Sequence, residues 1–140
     1  MPGRRRTQAG FTLIELLVVM AILGMLVALV APALIGQQDK QKPKIARTQI
    51  SELGTALDMF KLDVGRYPNS QEGLQALRQN PGSLARWGGP YLKKNVPPDP
   101  WDHPYVYRSP GEHGPYDLIS HGEDGTSGGS ALAADISSAD

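Results

Sequence analysis

Hydrophobic residues in this chain form first a continuous run and then a periodic pattern. The run extends from Phe11 to Ile35 and is interrupted by only four residues, which are Thr12, Glu15, Gly24 and Pro32. At a rise of about 1.5 Å per residue, a helix of this length spans roughly 37 Å, which is enough to cross a bilayer core of about 30 Å. The run therefore predicts a transmembrane helix over residues 11–35.

The residues after Gln37 change to an amphipathic pattern that ends near Asp63. Apolar positions recur there at steps of three and four, which is typical of an α-helix packed against a core. These positions are Ala46, Ile50, Leu53, Leu57 and Phe60. We expect the first helix to continue through this segment, with a kink or a restart at Pro43, and to end at Gly65 before Pro68.

The remaining sequence predicts shorter elements. Ser70 to Gln79 begins with a candidate N-cap and has one apolar edge, which predicts a short second helix. Residues 80–114 are rich in proline, glycine and aromatic residues, which indicates irregular backbone held by buried rings. Two strands, at 105–108 and 116–120, are predicted to form a hairpin. The predicted fold class is α+β, with a long N-terminal helix, transmembrane at first and then continuing into a soluble domain, packed on a small antiparallel sheet.

Charge is balanced over the whole chain but not along it. The 140 residues include 14 Lys and Arg and 14 Asp and Glu, with Arg4, Arg5 and Arg6 before the apolar run and acidic residues gathered late in the sequence. This asymmetry predicts a cytoplasmic N-terminus and an exported domain. About 100 residues remain for that domain, enough for one small core. Because the chain has no cysteine, no disulfide can stabilise this domain, and a bound metal is one candidate for that role.

Residue types disfavour two classes of function. The basic residues near the apolar run, Lys40, Lys42, Lys44 and Arg47, are not interleaved with aromatic residues. They suit lipid head groups, so we expect contact with a membrane and none with nucleic acid. We expect no enzyme, because the chain has no cysteine nucleophile and its three histidines are scattered.

One motif joins the basic leader to the apolar run, namely Gly10-Phe11-Thr12-Leu13-Ile14-Glu15. The run is longer than the apolar core of a secretory signal, and small residues precede it rather than follow it. The motif resembles the processing signature of the type IV pilin and pseudopilin superfamily. The resemblance implies that a prepilin peptidase removes residues 1–10 by cutting after Gly10, and that the new amino terminus on Phe11 is methylated.

Glu15 places a carboxylate within the apolar run. Such a group costs roughly 2.5–3.5 kcal/mol at a helix centre on insertion scales, so it usually has a partner. The ammonium that cleavage creates on Phe11 lies about one turn away, at a helix end that favours negative charge. The resemblance implies that Glu15 pairs with Phe11 of a neighbouring subunit during assembly. The alternative is a carboxylate that reaches into interfacial water.

Further motifs extend the resemblance over nearly the whole chain. They include Gly65-Arg66-Tyr67-Pro68, Gly89-Pro90-Tyr91-Leu92, Asp99-Pro100-Trp101 and Tyr116-Asp117-Leu118. Together they resemble the major pseudopilins of type II secretion systems, a family with the type IV pilin-like fold. Pilus pilins are less similar, since they commonly carry a C-terminal disulfide loop. One departure is Asp102, which stands where the family has glycine.

The resemblance to pseudopilins implies a division of the chain and a location. Residues 1–10 form the cleaved leader, 11–35 the transmembrane and assembly helix, and 36–140 a periplasmic domain of a single-pass inner-membrane protein. Copies of the chain are expected to polymerise into a helical pseudopilus that drives export of folded proteins across the outer membrane. Expected partners are the chain itself, minor pseudopilins, inner-membrane assembly components and the prepilin peptidase.

Oxygen donors are concentrated late in the sequence, on the glycine-rich stretch Gly122–Ser130 and the following Ala134-Asp135-Ile136. On composition alone this segment is a solvated polar tail, and the EF-hand spacing is absent. The resemblance to pseudopilins instead implies a structural calcium site, and calcium binds six to eight oxygen atoms. The predicted ligands are the side chains of Asp124 and Asp135, carbonyl groups near His121 and Thr126, and Ser130.

One departure affects this predicted site. Ala131 and Leu132 stand where family members often have further acidic or polar residues. Either Ser130, Glu123 or water takes their place, or the affinity for calcium is lower. The alternative to calcium is zinc, bound by His113 and His121.

Two other functions stay open on the sequence alone. One is the pilin of a type IV pilus used for adhesion or DNA uptake. The other, from a different class, is a signal-anchored calcium-binding module or hydrolase. Assembly into fibres separates the structural functions from the enzymatic one.

Overall fold

The computed structural model describes residues 9–140, and its longest element is the helix α1, Leu13–Val64. Thr12 caps this helix, since its side-chain Oγ1 accepts a hydrogen bond from the backbone N–H of Glu15 at 3.3 Å. The predicted orienting residues, Arg4, Arg5 and Arg6, lie outside the described residues.

Helix α1 continues through Pro43 without a break, so the restart considered at that residue is wrong. Proline removes one backbone donor, but its fixed φ is helical. An ion pair between Lys42 Nζ and Asp39 Oδ1, at 3.1 Å, lies across the same turn. The helix ends as predicted at Gly65, which has a φ of 89° and donates to the carbonyl of Lys61 at 2.8 Å.

The chain divides into two compact units, one reaching to Gln38 and the other running from Asp39 to Asp140. The core lies in the second unit. It combines the predicted apolar face of α1 with residues distant in sequence, such as Leu118 and Ile136. The buried helix residues are Ala46, Ile50, Leu53, Ala56, Leu57 and Phe60.

Three antiparallel strands form the sheet, in the order β1-β2-β3. They are β1 Val106–Arg108, β2 Asp117–Ser120 and β3 Ile136–Ser137. The predicted hairpin is confirmed, with Tyr107 opposite Leu118. The sequence pattern does not predict β3, yet Ile136 pairs with Ser120 and is buried. The interpretation of the whole late segment as a solvated tail is therefore wrong at its end.

The second helix predicted from Ser70 to Gln79 is not a full helix, and Ser70 does not cap it. Between Ser70 and Gln79 the structure has one 3₁₀ turn, Leu74–Leu77. Asn69 organises the preceding turn, because its Oδ1 accepts two backbone N–H groups at 2.9 and 2.8 Å. Ser70 Oγ instead bonds the backbone of Ser109, which links two distant loops.

The irregular segment after this turn is held by aromatic side chains, as predicted. Trp87 Nε1 donates to the carbonyl of Ala76 at 2.8 Å, and the Tyr91 hydroxyl donates to Asp63 Oδ2 at 2.8 Å. Both rings pack against the core. Each side chain therefore combines apolar burial with a satisfied polar atom.

Candidate functional site

The first unit presents an almost entirely exposed apolar helix surface. Among residues 9–140, α1 is the one helix long and apolar enough to cross a membrane, and none of its most apolar window is buried. Exposure of the large apolar side chains between Phe11 and Ile35 runs from 45% at Val19 to 86% at Phe11. A continuous surface of this kind is expected to be covered by lipid or by other apolar helices.

The predicted processing residues lie at the start of this helix. Gly10 and Phe11 precede the cap Thr12, and both are exposed. Glu15 is exposed in the first turn of α1. An amino group on Phe11 would therefore be located at the helix N-terminus, close in sequence to a carboxylate that this helix end stabilises.

The predicted calcium ligands lie in the connection between β2 and β3. We define the acidic loop as Gly122–Asp135, which contains all of these ligands except His121, the residue just before it. Asp124 is exposed, and its Oδ1 accepts the backbone N–H of Thr126 at 3.1 Å. Ser130 is also exposed and precedes a short 3₁₀ turn. Four glycines in the loop have positive φ values, which turn successive peptide groups in directions that other residues rarely allow.

Asp135 closes the acidic loop on itself. Its Oδ2 accepts the backbone N–H of Gly128 at 2.9 Å, and its Oδ1 lies 3.2 Å from His121 Nδ1. A carboxylate has about four lone-pair sites, so these two bonds leave each oxygen of Asp135 able to bind a cation. The structure thus brings Asp135 and His121 together across the base of the loop.

The donor chemistry of the acidic loop fits calcium. From residue 109 onward the sequence has six Asp and Glu and no Lys or Arg, so no Lys or Arg of this segment competes with a cation for its carboxylates. Within residues 9–140, no group of three or more His, Cys, Asp or Glu is arranged to hold a metal ion. Carbonyl, hydroxyl and water oxygens would have to complete the shell, and calcium accepts these readily whereas zinc prefers nitrogen and sulfur.

The two histidines of the alternative zinc site have separate partners. His113 Nδ1 lies 3.9 Å from Asp117, whereas His121 contacts Asp135. Neither belongs to a three-ligand group in the described part of the chain. The two histidines are therefore not brought together as a pair of zinc ligands.

One loop sequence has the spacing of a hydrolase motif. Residues 125–129, Gly-Thr-Ser-Gly-Gly, match Gly-x-Ser-x-Gly. A nucleophile elbow requires a sharp turn from a strand into a helix. Here the segment is irregular and exposed, so the motif lacks that context.

Sequence reasoning missed three residues that hold the acidic loop in place, namely Asp99, His103 and Ser120. Asp99 is buried, and its Oδ2 accepts the Ser120 hydroxyl at 2.6 Å. His103 Nδ1 lies 3.0 Å from the carbonyl of Gly122. These contacts join residues about twenty positions apart in the sequence. The Asp99-Pro100-Trp101 motif was the one sequence signal near these residues.

A second cluster of charged and aromatic groups stabilises the turn after α1. Arg66 forms two hydrogen bonds to the Glu72 carboxylate, at 2.7 and 2.8 Å, and this lowers the pKa of Glu72. The Tyr67 hydroxyl donates to Asp58 at 2.8 Å, which raises the pKa of Tyr67 to about 12. These contacts hold the turn and are separate from the acidic loop.

Two family models match this chain. The model described as type II secretion system (T2SS), protein G matches residues 33–139, and that of the prokaryotic N-terminal methylation motif matches residues 5–31. The second match contains the predicted processing residues Gly10 and Phe11 and the predicted assembly residue Glu15.

Individual relatives agree with the family models. Type II secretion system core protein G of Pseudomonas aeruginosa is 46% identical over 136 residues, which cover 95% of this chain and 96% of that protein. The protein of the same name from Vibrio cholerae is 44% identical, with 95% and 92% covered. A crystal structure of the major pseudopilin from the type 2 secretion system of enterohaemorrhagic Escherichia coli superposes with a TM-score of 0.60 at 32% identity, covering 75% of this chain and 92% of that one.

Proposed function

This chain belongs to the type II secretion system protein G family, and we propose that it is processed at Gly10-Phe11 and polymerises with copies of itself from the inner membrane. Its function is that of a pseudopilus subunit of a type II secretion system. The fold is that of a major pseudopilin, one long helix packed on a three-stranded sheet.

The observation that carries the proposal is the exposed apolar segment Phe11–Ile35, most of which lies within the matched methylation motif at residues 5–31. An uncovered surface of this length anchors the subunit in a membrane. We propose that this is the inner membrane and that the second unit lies in the periplasm, because the basic leader favours a cytoplasmic N-terminus. In the assembled fibre, the same surface would be covered by the corresponding helices of neighbouring subunits.

Pairing between Glu15 and the amino group of Phe11 supplies a register for this assembly. The carboxylate is expensive to place in an apolar environment, and an ammonium from a neighbouring subunit removes that cost. A contact between two different surfaces of identical subunits does not close on itself, so it generates a filament. Minor pseudopilins and inner-membrane assembly components are proposed as further partners of the filament, which would act in export across the outer membrane without catalysing a reaction.

Electron microscopy of cells that produce the full chain with its secretion system tests the assembly proposal. Glu15→Val should insert in the membrane but form few or no fibres. The control is Leu16→Val, a neighbouring exposed apolar position, which should assemble normally. Fibres of wild-type number and length from Glu15→Val would refute the pairing.

Mass spectrometry of the membrane-bound chain tests the processing proposal. The wild-type protein should begin at a methylated Phe11. Gly10→Val should retain the leader, because a β-branched side chain then occupies the position before the cut. A normally processed Gly10→Val product would refute the assignment of the cleavage site.

We propose calcium as the ligand of the acidic loop, bound by Asp124 and Asp135 with carbonyl groups of His121 and Thr126. Ser130 or water completes the shell. When bound, the cation supplies charge neutralisation and cross-links for a loop that has no disulfide. The support is the all-oxygen donor set and the absence of Lys and Arg after Arg108.

Thermal unfolding of the full chain in detergent tests the calcium proposal. A ligand at a hundred times its Kd stabilises the folded state by about 2.7 kcal/mol, which corresponds to a rise in Tm of roughly 10–20 °C for a domain of this size. Asp124→Ala should abolish the difference between calcium and chelator. Glu112→Ala removes an exposed acidic residue outside the loop and should retain the difference. Equal Tm values of the wild-type protein in calcium and in chelator would refute the site.

A further inference from the structure

A tight turn built on a buried carboxylate lies next to the acidic loop. Asp99 is 2% exposed, and its Oδ1 accepts the backbone N–H groups of Trp101 at 3.0 Å and His103 at 2.8 Å. The backbone N–H of Asp99 in turn donates to the carbonyl of His103 at 2.8 Å. We call this segment, residues 99–103, the Asp99 turn. Its conformation is determined by the Asp99 side chain together with these backbone bonds.

Ser120 connects the Asp99 turn to the first residue of the acidic loop. Its hydroxyl donates to Asp99 Oδ2 at 2.6 Å, and the same oxygen accepts the backbone N–H of Gly122 at 3.3 Å. Ser120 is fully buried. The hydroxyl therefore has one orientation, with its proton toward Asp99 and its lone pair toward Gly122.

His103 holds the other side of the same glycine. The Gly122 carbonyl can only accept, so His103 Nδ1 carries the proton in their 3.0 Å hydrogen bond. The imidazole ring also lies against Gly125, where an added Cβ would be 3.1 Å from His103 Cε1. The C=O of Gly122 is thus held directly by His103 of the Asp99 turn, and its N–H is held by Ser120, which is itself bonded to Asp99. Gly122 lies two residues before Asp124.

We propose that Asp99, Ser120 and His103 are positioning residues for the acidic loop, and that cation binding there is coupled through them to the environment of Trp101. The inference rests on the calcium site proposed above. Trp101 packs against the core, and its backbone belongs to the Asp99 turn. A turn that orders the start of the loop lowers the conformational cost of binding, and by linkage an occupied loop stabilises the turn.

The test uses the full chain in detergent with Trp87 replaced by phenylalanine, so that Trp101 is the fluorophore. Calcium chloride is titrated while tryptophan emission and the heat of binding are recorded. The parent should show a saturable change in emission with the same midpoint as the heat. Ser120→Ala should weaken calcium binding about fivefold or more and remove the emission change. Ser127→Ala, an exposed loop serine, is the matched control and should retain both.

A second pair of variants keeps the test decisive if Ser120→Ala fails to fold. His103→Ala removes the donor to Gly122 and should reproduce both losses. His103→Asn places an amide nitrogen at the position of Nδ1 and should restore binding to within about twofold, which a general loss of stability would not do.

The possible outcomes separate this inference from the calcium proposal. Calcium binding with wild-type affinity and emission change in His103→Ala or a folded Ser120→Ala would overturn the positioning role and leave the calcium site intact. Absence of heat and of a Tm shift in the parent would overturn both.

Discussion

Replacing Phe60 by alanine is expected to remove a large part of the stability of the second unit. Phe60 lies on α1, is fully buried, and meets the ring of Tyr91 edge-on at 5.7 Å between centroids. Truncation of a buried phenylalanine costs about 3–5 kcal/mol, and an aromatic pair adds about 0.5–1.5 kcal/mol. The expected loss is therefore roughly 4–6 kcal/mol, against a total stability of about 5–15 kcal/mol for a domain.

Urea unfolding of the full chain in detergent, followed by tryptophan emission, measures this loss. For an m value of about 1.5 kcal/mol per M, the unfolding midpoint should fall by roughly 3–4 M. Leu62→Ala is the matched control, because Leu62 lies on the same helix but is 84% exposed. The free energy of unfolding of this variant should differ from the wild-type value by about 0.5 kcal/mol or less. Equal shifts in the two variants would contradict the assignment of the buried face of α1.

Two further predictions concern the turn after α1 and the acidic loop. Glu72→Gln should lower stability by about 0.2–1 kcal/mol at neutral pH, because Arg66 is substantially exposed. The pKa of Glu72 is lowered below 4.5 in the folded state, so its contribution is present above that pH and is lost as the pH falls through the folded pKa. Melting curves from pH 3 to 7 should therefore converge for variant and wild type in acid, and a difference that persists there would contradict the ion pair. Gly129→Ala should lower Tm, because the φ of Gly129 is 97° and an added Cβ would clash with the carbonyl oxygen of Ala133. Gly114→Ala is the control, since the nearest atom to its added Cβ is 3.9 Å away. Equal Tm values for the two variants would refute the strain at Gly129.

The long helix and the hairpin could be predicted from the sequence because their signals are local. Apolar residues at steps of three and four locate the buried face of α1, and all five predicted positions are buried. The helix runs through Pro43 because one missing hydrogen bond is small beside the packing of the whole segment. At the turn after α1, Asn69 and Ser70 are both suitable caps, and only the distant partner Ser109 determines that Ser70 points elsewhere.

The candidate site was less accessible to sequence reasoning. Asp124 and Asp135 could be proposed from residue type and family resemblance, but the bond of Asp135 to Gly128 depends on the path of the loop. Strand β3 has two residues, too few for an alternating pattern. The contact between Asp99 and Ser120 spans 21 positions and involves no repeat or charge pattern. Such contacts follow from the tertiary fold and cannot be read from neighbours in the chain.

Strand β3 also makes the order of synthesis important for this protein. Ile136 completes the core that begins with Ala46, and the backbone N–H of Ser138 bonds the carbonyl of Leu118 at 2.9 Å. As the chain is synthesised, the apolar face of α1 is made long before these partners and stays uncovered until they arrive, which is a situation prone to aggregation. A chain interrupted before residue 136 lacks a buried core residue and the third strand of the sheet, so we expect truncated chains to be less stable than full-length ones.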